Sequence, residues 1–317
     1  THGLFANRFL KRDLGFQRGF ETWEYMGDTE LVIRSQELLT TVDTGDSHFF
    51  YVHFFGPHQP VEPTEERLEN YGVKRSRLSP NGGLGHKYLH RSPRYIELYR
   101  TLYKGVIEAT DHRRGQVIEA FLERFPNGRI VMTSDHGEMI GEHQEIGHKS
   151  GLYQELIHVP LVMYGWTDEH GEQQGKVGAL FSLDAIADWI TDSVGIDAGW
   201  SSQWERYAKG QKDVVAVAQR DGDLALITTS QQKLIVDYPM TIRNRNFYLG
   251  TPVTHTFALR EDPQEIRPIQ DNDLTTSLQE HLTVWQQTHP QGIADGQTNQ
   301  TNRTFIEDLR TLGYVGE

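Results

Sequence analysis

The sequence predicts an α/β protein, with a mostly parallel central sheet flanked by helices and a smaller antiparallel-sheet subdomain after it. Three observations predict this. His48–Phe55, Arg129–Thr133 and Val159–Tyr164 are short apolar runs that do not alternate, as expected of strands buried on both faces. A long helical pattern, Tyr95–Phe125, separates the first run from the second. From about Val214 the segments become short, β-branched and turn-separated, which reads as an antiparallel sheet. The expected division is an α/β core over residues 1–200 and a C-terminal α+β subdomain over 201–317.

Thr1–Tyr25 has no clear period. Leu31, Val32, Leu38 and Leu39 place a short helix over Glu30–Leu39. The run His48–Phe55 ends in Gly56-Pro57-His58-Gln59-Pro60, so a histidine sits just past a strand. Open α/β sheets place their sites at such carboxyl ends. Glu62–Pro93 is polar and broken by Gly72, Pro80 and Gly82, as expected of a long loop over a site mouth. Its Arg75, Arg77, Lys87 and Arg91 read either as a funnel for an anionic substrate or as a solvated loop.

In the long helix, Ile96, Tyr99, Leu102, Tyr103 and Val106 recur at i, i+3, i+4 spacing. Pro126-Asn127-Gly128 is a turn signal ahead of the next strand. Further on, Ser182–Ile190 is an amphipathic helix that Ser182 or Asp184 can cap. Val214–Ala218, Leu224–Thr228, Lys233–Asp237 and Val253–Leu259 are the expected strands of the second sheet. Leu274–Gln287 and Phe305–Leu312 are helical, joined by a polar linker over Thr288–Arg303.

Composition narrows the class of function. The 317 residues carry a net charge of −13, which argues against a nucleic-acid backbone as partner. There is no cysteine, hence no disulfide, thiolate zinc site or thiol nucleophile within these residues. No apolar run approaches the ~20 residues of a membrane span. The first residue is threonine and no signal peptide is visible, so the beginning of a longer protein is expected to be missing. The cysteine-free composition favours a cytoplasmic setting.

Chemistry concentrates between the second and third apolar runs. Asp135, His136, Glu138, Glu142, His143, Glu145, His148 and Lys149 crowd a loop that leaves a strand end. Asp135 offers a hard anionic oxygen and His136 an imidazole nitrogen, and both can reach one cation if the backbone turns at Gly137. Lys149 suits anion neutralisation and proton donation. His143 and His148 read as hydrogen-bonding groups or as groups with no role.

Thr133-Ser134-Asp135-His136-Gly137-Glu138, Gly141-Glu142-His143, Gly147-His148-Lys149, Tyr153-Gln154-Glu155 and Val159-Pro160-Leu161 together resemble the sulfatase family, of the alkaline-phosphatase-like superfamily. Gly15-Phe16-Gln17-Arg18-Gly19-Phe20, Pro57-His58-Gln59-Pro60 and Leu259-Arg260-Glu261-Asp262-Pro263-Gln264-Glu265 match further blocks in the family's order. The resemblance covers essentially the whole chain but only the later part of a sulfatase.

The resemblance implies an alkaline-phosphatase-like fold and hydrolysis of a small-molecule or carbohydrate sulfate ester. It implies that Asp135 and His136 bind a divalent metal, calcium first, with Mn²⁺ or Zn²⁺ open because His136 stands where many members have Asn. It also implies that His58 and Lys149 contact the sulfate and act in catalysis. A Lys and a His that precede the Gly15 block in many members are not matched; Asn7, Arg8 and Lys11 stand there instead. The family's two metal-binding aspartates and its formylglycine nucleophile come earlier in its order, so the nucleophile is expected upstream of this chain. The alternatives are a phosphodiesterase, phosphonate hydrolase or phosphoglycerol transferase of the same superfamily, or an inactive remnant that only captures anions.

Overall fold

The structure is a computed structural model describing residues 1–11, 15–58, 61, 65–70, 72, 74, 93–148, 151–165, 175–176, 178, 180–196, 215–220, 223–228, 230–237, 240–243, 246–249 and 251–288. Its first strand is one the sequence pattern does not announce. His2–Phe5 (β1) is buried along its whole length and forms the middle of a three-stranded parallel sheet, between Thr22–Tyr25 (β2) and Phe50–His53 (β3). Gly3 is aligned with Trp23 on one side and Tyr51 on the other. A Cβ at Gly3 would stand 2.2 Å from the Trp23 ring. Without one, the Trp23 and Tyr51 rings stack across β1 with centroids 5.9 Å apart and planes 15° apart.

Asp28–Thr41 (α1) covers this sheet, its Leu31 and Leu38 packing with Val42 on Leu4. Arg34 on α1 grips Glu24 on β2 through two hydrogen bonds of 2.8 and 3.0 Å. Glu65–Asn70 (α2) lies within the stretch expected to be loop, whose basic residues from Arg75 to Arg91 fall outside the described residues. Pro93–Arg124 (α3) matches the expected long helix. Its Tyr99 and Leu102 form a core with Val61, Leu68 and Ile146.

After α3 the chain makes Ile130–Thr133 (β4), a two-residue hairpin of Met139–Ile140 (β5) and Ile146–Gly147 (β6), the single turn Gln154–Ile157 (α4), and Leu161–Tyr164 (β7). Here the structure corrects an expectation. The sequence places Arg129–Thr133 and Val159–Tyr164 beside His48–Phe55 in the parallel sheet. Instead β4 pairs with β7 antiparallel, Ile130 opposite Tyr164, in a two-stranded sheet distinct from β1–β3. Among the described residues, the connection between them holds the β5–β6 hairpin and the single turn α4. Its length would have allowed a crossover, so the direction is set by how this segment folds back over the strand end. Val162, Met163 and Tyr164 of β7 are exposed.

Ala185–Ser193 (α5) occupies the position of the expected amphipathic helix. The second sheet is antiparallel throughout, in the order Val253–Ala258 (β13), Gln232–Asp237 (β10), Asp223–Thr228 (β9), Val215–Arg220 (β8). Met240–Arg243 (β11) and Asn246–Leu249 (β12) form a separate hairpin. Side chains alternate across the second sheet. Leu224, Leu226, Leu234 and Val236 bury Leu278 and Leu282 of Asn272–Thr288 (α6) on one face. Ala225, Ile235 and Phe257 bury Leu152, with Tyr153 and Ile157 beside it, on the other. The C-terminal sheet thus braces the segment that follows the candidate site loop. The expected helix Phe305–Leu312 and the linker beyond Thr288 fall outside the described residues. Among the described residues no helix is long and apolar enough to cross a membrane.

Candidate active site

The site forms where β3 and β4 end. Beyond β3, Asp28 at the start of α1 accepts hydrogen bonds from the Phe55 and Gly56 amides, at 2.8 and 2.9 Å. The His58 amide donates to the Phe55 carbonyl at 3.0 Å, and the His58 ring stacks on the Phe55 ring at 4.4 Å. These contacts hold His58 over the end of the strand.

Beyond β4, the Asp135 carboxylate accepts the His136 amide at 3.0 Å. His136 Nδ1 lies 2.9 Å from the Gly137 carbonyl, an acceptor, so that nitrogen carries the proton. The Gly137 amide donates to the Leu156 carbonyl at 2.8 Å, and a Cβ at Gly137 would lie 2.0 Å from the Glu155 carbonyl. Glycine is needed here because α4 crosses the turn at backbone distance.

The hairpin then brings the chain back. Met139 pairs with Gly147, so Glu138 and His148 are the next neighbours along the ladder. His148 Nδ1 donates to Glu138 Oε1 at 2.8 Å, and the Glu138 side chain is only 4% exposed. Arg100 of α3 anchors the hairpin tip through Nε to the Ile140 carbonyl at 2.8 Å and through Nη2 to Glu142 at 3.2 Å.

Three histidines from distant parts of the chain therefore converge. Ring centroids lie 4.2 Å apart for His136 and His148, 4.9 Å for His58 and His148, and 6.2 Å for His58 and His136. One ligand nitrogen from each lies within 4.8 Å of the other two. Asp135 Oδ2 stands 3.8 Å from His136 Nε2. Burial, aided by the Asp135 charge, pushes the Tyr51 hydroxyl up to about 12. Burial pushes the His53 imidazole below its usual range, and Asp135 offsets part of that shift.

The structure thus brings His58 and His136 together with Asp135 alongside. Lys149 lies outside the described residues. His148, read from the sequence as a hydrogen-bonding group or one with no role, does bond Glu138, and its place beside His58 and His136 is what the sequence reading lacked. The signal was its place directly before Lys149, opposite Glu138 across a short turn. His143 belongs elsewhere: it stacks on Tyr153 at 3.7 Å and lies 3.5 Å from Glu155. Lys11, which stands where the family's Lys and His are not matched, sits 4.1 Å above the Tyr25 ring.

A family model described as Sulfatase matches residues 6–193, more than half of the chain. The chain belongs to the sulfatase family. Arylsulfatase K of Canis lupus familiaris is 31% identical over 90 residues, which are 28% of this chain and 17% of that protein. Among solved structures, a putative sulfatase of Bacteroides fragilis superposes with a TM-score of 0.60 at 19% identity, covering 83% of this chain and 59% of that one. The phosphonate monoester hydrolase of Agrobacterium radiobacter gives a TM-score of 0.56 at 16% identity, over 84% and 61%. A structure described in complex with its substrate D-glucosamine-2-N,6-O-disulfate gives 0.52 at 16%, over 86% and 72%. These neighbours establish the alkaline-phosphatase-like sulfatase fold. The chain spans less than two thirds of the length of the arylsulfatase K and Bacteroides fragilis relatives it matches.

Proposed function

We propose that these residues form part of the active site of a metal-dependent sulfuric ester hydrolase acting on a small-molecule or carbohydrate sulfate ester. The observation that carries this reading is the convergence of His58 and His136, with Asp135 beside them, at the strand ends of a chain in the sulfatase family. The arrangement of residues at 1–200 and 201–317 into core and C-terminal subdomain is part of the same proposal.

Breaking the S–O bond of a sulfate ester requires neutralising the sulfuryl oxygens and delivering a proton to the departing alcohol oxygen. His58 is held by Phe55 and by the Asp28-capped strand end, so its ring can meet an anionic oxygen without reorganising. Lys149, next after His148 in the sequence, is the residue proposed to neutralise the anion and protonate the leaving group, roles that an ammonium suits. Asp135 and His136 are the residues that would hold the metal. A bound dication supplies charge to polarise the ester. The donor set fits a divalent cation in that an imidazole nitrogen and a carboxylate oxygen stand 3.8 Å apart on one turn. The covalent nucleophile is not supplied by these residues, which include no cysteine and no Ser-x-Pro-x-Arg sequence.

The test is ester binding and turnover with p-nitrophenyl sulfate against bis-p-nitrophenyl phosphate. The full protein should prefer the sulfate ester, and His58→Ala should weaken that preference. A preference for the phosphodiester would move the reading to the phosphonate hydrolase branch of the fold.

A further inference from the structure

We propose that His58, His136 and His148 form a three-imidazole site for a transition-metal dication of the zinc type, a donor trio that suits calcium poorly. The inference rests on the metal-dependent reading of the same strand ends: it keeps Asp135 and His136 and adds His58 and His148 as nitrogen donors.

The first argument is geometric. A zinc–nitrogen bond of about 2.1 Å sets donor separations of about 3.4 Å in a tetrahedral shell. The three ring nitrogens already lie within 4.8 Å of one another, so small ring rotations close the shell. They come from β3's end, β4's end and the β6 strand of the hairpin, three separately anchored segments.

The second argument is that two rings are oriented as metal ligands are. Ligating histidines characteristically give their other N–H to a carboxylate or a backbone carbonyl, which fixes tautomer and ring orientation. His148 Nδ1 gives its proton to Glu138 Oε1, and His136 Nδ1 to the Gly137 carbonyl. Both rings therefore carry the lone pair on Nε2. Glu138 Oε2 is buried with no hydrogen-bond partner among the described residues, so the one contact recorded for this carboxylate here is the His148 ring.

The third argument is donor chemistry. Calcium takes six to eight oxygens. Imidazole nitrogens suit zinc and its transition-metal neighbours. The trio contains no oxygen donor, and Asp135 is the carboxylate beside it, 3.8 Å from His136 Nε2.

The experiment titrates the full protein with ZnCl2 and separately with CaCl2 by calorimetry, and records the visible spectrum after loading with Co²⁺. The 15 histidines of the chain provide weak surface sites, so the readout is the one tight equivalent lost in His148→Ala. The expected result is tight zinc binding that excess calcium does not displace, with visible cobalt bands of a nitrogen-rich, low-coordinate site. Glu138→Gln, which keeps the side-chain shape, should weaken zinc by about 10- to 100-fold while near-ultraviolet circular dichroism stays native. Zinc affinity unchanged in both His148→Ala and Glu138→Gln would overturn the site. So would calcium binding tighter than zinc. Retention of inorganic sulfate with no tight zinc would instead make the trio an anion cradle. Tight zinc without any sulfate-ester binding would sink the hydrolase reading and leave the metal site standing.

Discussion

Glu265 holds Lys233 with one carboxylate oxygen and the start of α4 with the other. Lys233 Nζ lies 2.6 Å from Oε1, and Oε2 accepts the Gln154 amide at 2.6 Å, with both charged side chains fully buried. Lys233 sits on β10 of the C-terminal sheet, and α4 is the turn that crosses Gly137. One ion pair therefore ties the C-terminal sheet to the backbone beneath Asp135 and His136. Burial pushes the Lys233 amine down and the Glu265 carboxyl up, so the pair is held against a substantial desolvation cost.

Removing one partner should be costly. Lys233→Met leaves the Glu265 charge buried without its counter-ion, and breaking a buried pair in this way costs about 3–5 kcal/mol. Urea unfolding measures it. A change of less than about 1 kcal/mol would show that Glu265 is not left as an uncompensated buried charge, since ordinary surface substitutions stay within about that range.

Gly137→Ala tests the crossing of α4 over the site turn. The added methyl would overlap the Glu155 carbonyl, so the turn and the helix must separate. Overpacking of this kind costs about 1–3 kcal/mol. The shift also moves Asp135, His136 and Glu138, so near-ultraviolet circular dichroism should change along with the unfolding midpoint. Wild-type stability and spectrum together would refute the contact.

Acid should weaken the fold through His53. Its imidazole is half-buried, Nδ1 is out of solvent with no partner among the described residues, and burial lowers its pKa from the ordinary 6.5. The unfolded chain therefore binds a proton that the folded chain resists. The stability this preserves is present above pH 6.5 and is lost as pH falls through that value toward the lower folded pKa. In unfolding experiments across this range, His53→Gln should flatten the pH dependence. An unchanged slope would assign the acid sensitivity elsewhere.

Turnover by these 317 residues alone should be absent or very slow, because no formylglycine precursor of the cysteine type lies within them. Losing the nucleophile from a catalytic unit costs orders of magnitude in rate. Binding of p-nitrophenyl sulfate should survive, and Lys149→Ala should weaken it. Robust release of p-nitrophenolate by the purified chain, its mass verified, would show that a residue within it serves as nucleophile.

Much of the fold was legible where a pattern runs long enough to average out noise. Tyr95–Phe125 became α3 nearly residue for residue, and the short β-branched runs after Val214 became the antiparallel sheet. β1 was not legible, because four residues opening on His and Gly show no period and owe their burial to Trp23, Tyr51 and α1. The partner of β4 was not legible either, since direction depends on the connection rather than on the strand. In the site, Asp135, His136 and His58 stood out because each follows a strand. His148 follows a two-residue strand whose only signature is its register, so it reads as a loop residue. Asp28, which shapes the turn leading to His58, was hidden as an ordinary acidic residue in a helix's first turn.

The β5–β6 hairpin has a consequence for how this chain can change over time. Successive residues of a strand face opposite sides, so inserting or deleting one residue between Gly141 and Glu145 would turn His148 away from His136 and Glu138. Composition is constrained there too, by Gly141 at φ 117° against Ile96 and by Glu142 on Arg100. The loop's length is fixed by a histidine that lies outside it.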